Sequence, residues 1–100
     1  MEADKADSNL TVGSIVCSKA GRDDGRYFVV MWQKENFVGL CDGDLRKTDK
    51  IKKKKIKHVI PTGYISSFVV SKLDADEKVT NSEIRRELAE YQAEHQESEE

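Results

Sequence analysis

Residues Gly13–Met31 read GSIVCSKAGRDDGRYFVVM: a short apolar run, a tight polar loop and a longer apolar run. Ile15-Val16-Cys17 and Tyr27-Phe28-Val29-Val30-Met31 are rich in β-branched and aromatic residues, which suit a pleated, half-buried surface. Gly21 and Gly25, four apart, give the chain the conformational freedom to reverse between the two runs. The stretch therefore predicts two strands joined at a glycine turn. Lys19, Arg22 and Arg26 set three cations around that turn.

Working outward, the first strand is expected to begin at Thr11 or Val12 and to reach Ser18. The second runs from Arg26 to about Trp32. Tyr27–Trp32 is apolar at every position, whereas a strand with one wet face alternates. Both faces of this strand are thus expected to be covered. Gln33–Asn36 reads as a polar turn and Phe37–Cys41 as a third strand. Asp42-Gly43 is a hairpin signal, which makes Asp44–Lys47 a short fourth strand and residues 48–54 a basic loop. Lys55–Ile60 reads as a fifth strand ended by Pro61, since proline cannot donate to a ladder. Five short strands in about fifty residues predict a mainly β protein built on a small SH3-like β-barrel.

Two helices are expected to follow. In Tyr64–Leu73 the residues Ile65, Phe68, Val69 and Leu73 fall at helical spacing, although the β-branched content also suits a strand. The helical reading places their apolar face over the outer side of the second strand. Thr80-Asn81-Ser82-Glu83 is a capping box, and Val79 and Ile84 stand where a hydrophobic staple belongs. That helix carries Ile84, Leu88 and Tyr91 on one face and frays beyond Tyr91. The predicted layout is a disordered acidic tail over 1–10, the barrel over 11–60, a helical extension over 61–92 and an acidic tail over 93–100.

Size and composition narrow the functional classes. One hundred residues, 37% hydrophobic and 36% charged, make one small domain with a modest core. No apolar run approaches membrane-spanning length. The acidic start MEADKADSNL lacks the apolar core of a signal peptide, which gives a cytoplasmic expectation. Cys17 and Cys41 form no zinc framework and read as small apolar fillers of strands. The net charge of −2 conceals an asymmetry. Residues 13–60 carry twelve Lys or Arg against six Asp or Glu, a formal +6. Residues 61–100 carry four against ten, a formal −6. This is a basic first part followed by an acidic second part.

The stretch quoted above also resembles the KOW motif of RNA-binding proteins. The matching residues are Gly13, Ile15, Val16, Gly21, Gly25 and Tyr27–Met31. Lys19-Ala20-Gly21-Arg22-Asp23 followed by Gly25-Arg26 is similar to archaeal and eukaryotic large-subunit ribosomal proteins of the fourteen-e and twenty-seven-e kind, and to their short bacterial KOW-domain relatives. The residue before the second glycine departs from the pattern: Asp24 stands where many KOW motifs have lysine. The resemblance implies an SH3-like barrel that binds RNA, rRNA above all, in or beside the large ribosomal subunit.

The candidate phosphate-binding residues are Lys19, Arg22 and Arg26 of the glycine turn and the run Arg46, Lys47, Lys50, Lys52, Lys53, Lys54, Lys55 and Lys57. The eight cations of that run fall within twelve residues. Such a track pairs with phosphates and releases counterions. Phe37 and Tyr27 are the aromatic candidates for base stacking, with Trp32 beside them, and all three also suit a core. Catalysis is not expected. His58 has no nucleophile or acid placed beside it by a motif, and Asp42 and Asp44 read as turn residues around Gly43. Nothing calls for a cofactor, a metal or a small-molecule substrate. The alternative to RNA is an SH3-like protein-interaction module, which needs Tyr27, Trp32 and Phe37 to line one open groove. The acidic half raises a further possibility, that it shields the basic edge as an RNA mimic.

Overall fold

The computed structural model describes residues 10–19 and 21–95. Five antiparallel strands, β1 (Ser14–Ser18), β2 (Tyr27–Lys34), β3 (Phe37–Cys41), β4 (Lys52–Lys55) and β5 (Val59–Ile65), are followed by helices α1 (Ser67–Asp74) and α2 (Asn81–Glu94). They form one sheet of order β4-β3-β2-β1-β5. The sheet is open, with β4 and β5 as its edges. A single 3-10 turn, Ile56–His58, joins those edges.

The all-apolar second strand is covered on both faces. The registers Val16↔Phe28 and Val30↔Leu40 place four fully buried side chains on one side. With Leu10, Val38 and Val59 they form a core against which Ile56 of the 3-10 turn packs and to which, among the described residues, neither α1 nor α2 contributes. A face that buries itself without a second layer requires the sheet to curl over it. The registers Ile15↔Val29 and Val29↔Cys41 define the other side. There Val69 of α1 and Ile84 and Leu88 of α2 close a second core, with Phe68, Leu73 and Tyr91 at its margin. Fully burying a side chain of this size contributes about 1.5–3 kcal/mol.

The glycine turn forms as expected, with Gly21 and Gly25 at φ of 74° and 86°. Its middle is a 3-10 turn, Gly21–Asp23. Gly39 answers to a different need. A β-carbon there would run into the Trp32 indole, which occupies the space above Gly39. Cys17 and Cys41 lie in β1 and β3 as free thiols. Burial pushes both thiols above their ordinary range, and Asp24 adds to the effect at Cys17.

Four expectations are corrected. Asp44–Lys47 is not a strand. The Asp42 Oδ1 accepts from the N–H groups of Asp44 (3.0 Å) and Arg46 (2.8 Å), so a side chain satisfies the backbone that a ladder would have used. The fourth strand is Lys52–Lys55 instead, which takes the end of the stretch read as a loop and the first residue of the expected fifth strand; it pairs with Phe37–Leu40, and the fifth strand starts only at Val59, after the 3-10 turn. Pro61 does not end β5. It lies opposite Val16 on an edge strand, where the missing N–H takes no bond from the sheet. The first helix starts later than expected, because Tyr64 and Ile65 belong to β5 and Ser66 caps the helix by accepting from the Val69 N–H at 3.2 Å. Phe68, Val69 and Leu73 join the core on the outer side of β2, whereas Ile65, expected on the same face, is an exposed residue of β5.

The second helix begins with the anticipated capping box, and both staple residues are buried. It extends to Glu94, past the predicted fraying point. Of the two predicted acidic tails, residues 1–9 and 96–100 lie outside the described residues. Leu10, placed in the first tail, is instead a core residue at 5% exposure.

Candidate nucleic-acid interface

The basic residues separate into two groups once the sheet is formed. The first surrounds two buried carboxylates. Asp23, in the middle of the glycine turn, is 2% exposed. Arg46 donates to both of its oxygens, at 3.3 and 3.1 Å, and Lys54 Nζ lies 3.8 Å away. Asp42 is 5% exposed and accepts from Arg26 at 3.2 Å, with Asp44 3.7 Å from the same guanidinium. A buried carboxylate requires such partners, because leaving it unpaired costs several kcal/mol. Arg26, Arg46 and Lys54 therefore bind the turn, the loop after β3 and β4 to one another.

The second group faces solvent. Lys19, Arg22, Lys47, Lys50, Lys53, Lys55 and Lys57 are all exposed. Among the described residues none of the seven forms an ion pair with a carboxylate. Their positions follow from β-strand alternation. Lys52 and Lys54 pair with Leu40 and Val38 and lie half-buried on the curled face, their stems along apolar neighbours. Lys53 and Lys55 take the opposite face beside Gly39 and Phe37. The Lys53 ammonium stands 4.4 Å above the centre of the Phe37 ring. Lys57 follows in the 3-10 turn, and the Lys19 N–H donates to the His58 carbonyl at 3.0 Å. That bond carries the end of β1 to the same corner. Lys47 and Lys50 flank a loop held to α2 by the Thr48 N–H, which donates to Asn81 Oδ1 at 2.8 Å.

The three aromatic candidates do not share a groove. Tyr27 lies under α2, 5.7 Å from the Tyr91 ring centre. Trp32 covers Gly39. Phe37 lines a separate groove at the turn between β2 and β3. Among the described residues α2 forms no ion pair with the exposed lysines either. Glu83 pairs with Lys72 at 3.4 Å, and Glu87 with Arg86 at 3.3 Å and with the Ser66 hydroxyl at 2.7 Å. The bonds to Lys72 and Ser66 tie α2 to α1, the Arg86 pair lies within α2, and among the described residues no α2 ion pair reaches the β4 edge.

Sequence reasoning missed the buried role of Asp23. Its partners lie 23 and 31 residues further along, so no local pattern announces it. No protein-family model and no curated relative matches this sequence.

Proposed function

We propose that this protein is a KOW-type RNA-binding module of SH3-like fold, acting in the cytoplasm on rRNA as a ribosomal or ribosome-associated protein of the large subunit. One observation carries the RNA reading. Among the described residues seven basic side chains stand exposed without a carboxylate partner, four of them (Lys19, Lys53, Lys55 and Lys57) around one corner of the sheet. A single lysine on an edge strand suffices to block edge-to-edge pairing. A cluster that continues beyond the edge, into the 3-10 turn and the end of β1, fits a phosphate surface better. The strand order β4-β3-β2-β1-β5, with a 3-10 turn joining the two edges, supports the SH3-like reading. So does the self-buried curled face.

Among the described residues no helix is free to enter a major groove, since α1 and α2 both pack on the sheet. Recognition then falls to the backbone and shape of folded RNA. The test is binding of rRNA fragments across salt. With about five phosphates engaged, affinity falls about 500-fold between 50 and 200 mM salt. Changing Lys53, Lys55 and Lys57 to Glu abolishes most of that dependence. Equal binding by wild type and the triple variant rules the reading out.

A further inference from the structure

Where the turn between β2 and β3, the 3-10 turn and the end of β1 converge, they enclose a groove of about 1070 Å3. Two backbone bonds fix its walls: the Ile56 N–H donates to the Asn36 carbonyl at 2.8 Å, and the Lys19 N–H to the His58 carbonyl at 3.0 Å. Leu10, Val59 and Ile56 form an apolar floor. Lys19, Lys55 and Lys57 stand on the rim, against one carboxylate, Glu35. In the core beneath, Val16, Phe28, Val30, Val38 and Leu40 are fully buried, while Leu10 and Val59, at 5% each, and the partly buried Ile56 reach the surface at the groove. The groove is thus a place where the curled core meets solvent.

An apolar floor under a cationic rim suits a ligand with a flat, poorly hydrated body and an anionic connection. A nucleobase on its sugar-phosphate backbone has that chemistry. A continuous duplex does not, because its bases are stacked away from the surface. The volume is at the upper end of ligand sites, which run to about 1,000 Å3. The exposed Asn36 amide at the groove's edge adds a donor and an acceptor of the kind that base edges accept. We propose that this groove receives an unstacked base of single-stranded RNA, while Lys19, Lys55 and Lys57 hold the flanking phosphates. The proposal deepens the RNA-binding reading and rests on it.

The experiment uses the full chain and three short RNAs of equal phosphate number: a single strand, the same strand with one abasic position moved along it, and a blunt duplex. Binding is followed by titration of methyl and amide NMR signals. The expected result is a preference of about tenfold or more for the single strand over the duplex. A loss of about tenfold is expected when the abasic position reaches the groove. Ring-current shifts at the Ile56 and Val59 methyls accompany binding. Asn36→Ala weakens the single strand several-fold and leaves the duplex unchanged. Equal affinity for all three RNAs, with shifts confined to the lysines, overturns the base site and leaves the RNA reading standing. Equal shifts at the groove with polyglutamate overturn base recognition in favour of a general polyanion site. Binding of no RNA overturns both readings together.

Discussion

Two clusters of cations lie within one small sheet and have opposite fates. Around the glycine turn, Arg26, Arg46 and Lys54 meet Asp23 and Asp42, carboxylates that are almost wholly buried. At the corner formed by β4, the 3-10 turn and the end of β1, Lys53, Lys55, Lys57 and Lys19 meet solvent. The difference shows that a basic run cannot be converted into a binding surface by counting. Alternation along β4 sends Lys52 and Lys54 to one face and Lys53 and Lys55 to the other, so neighbours in sequence serve different ends. The first cluster holds the fold together and the second is available to a partner.

Replacing Asp23 by Ala breaks this contrast most severely. It removes the shared partner of Arg46 and Lys54 from a site that is 2% exposed. A loss of about 3 kcal/mol in urea unfolding is expected. RNA affinity, measured where the variant is still folded, does not fall, because two cations are released rather than removed. The opposite pattern is expected for Lys53, Lys55 and Lys57 changed together to Ala. Their side chains are exposed, so unfolding changes by about 0.5 kcal/mol or less per site. RNA affinity at moderate salt drops about thirty- to a hundredfold, and the slope of log affinity against log salt decreases by about three. A triple variant that loses stability but keeps its salt slope exchanges the roles assigned to the two clusters.

Arg46→Ala sharpens the comparison from within the first cluster. Arg46 is 30% exposed, and Lys54 remains beside Asp23 after its removal, so the loss is smaller, about 1–2 kcal/mol. Its salt slope matches wild type. A slope reduced by about one assigns Arg46 to the binding surface as well.

What could be read in the sequence follows from the range of each signal. The glycine turn, the doubly covered second strand and the capping box at Thr80 are set by residues within a few positions of one another, and all three formed as read. Asp42-Gly43 was misread because a two-residue hairpin and a side-chain-capped loop share their opening residues. The choice falls to the loop, which is further held by Asn81 and Arg85 of α2, the latter donating to the Gly43 carbonyl at 2.6 Å. Four consecutive lysines look like a solvated loop. They become a strand because Phe37–Leu40 offers a ladder and Val38 and Leu40 offer apolar surface to the stems of Lys54 and Lys52. Proline at position 61 is tolerated because β5 is an edge, a fact of topology that no window of sequence contains. The candidate site was legible as a charge cluster. Its division into paired and exposed cations was not, because the carboxylates that decide it are remote in sequence.

The helices extend the comparison, since their charges are also engaged within the fold, though at the surface. The Thr80 N–H donates to Glu83 Oε1 at 3.0 Å, and this bond is the main reason that the Glu83 carboxyl titrates below the usual range. Burial opposes it, and Lys72 nearby adds to the lowering. A carboxylate that stays ionised to lower pH in the folded state than in the unfolded chain stabilises the fold above the ordinary glutamate value. That contribution fades as the pH falls through the folded-state value. Glu83→Gln should therefore melt slightly below wild type at pH 7, and the two curves should converge as the pH falls below the folded-state value of Glu83. Because Glu83 is a surface residue, this shift is the smallest of those expected here. RNA binding at pH 7 should be the same for both proteins, since Glu83 holds Lys72 and the start of α2, and neither belongs to the lysine corner. Tighter RNA binding by the variant would place the acidic helix close enough to compete with phosphate, and would revive the shielding role that its ion pairs with Lys72 and Arg86 argue against.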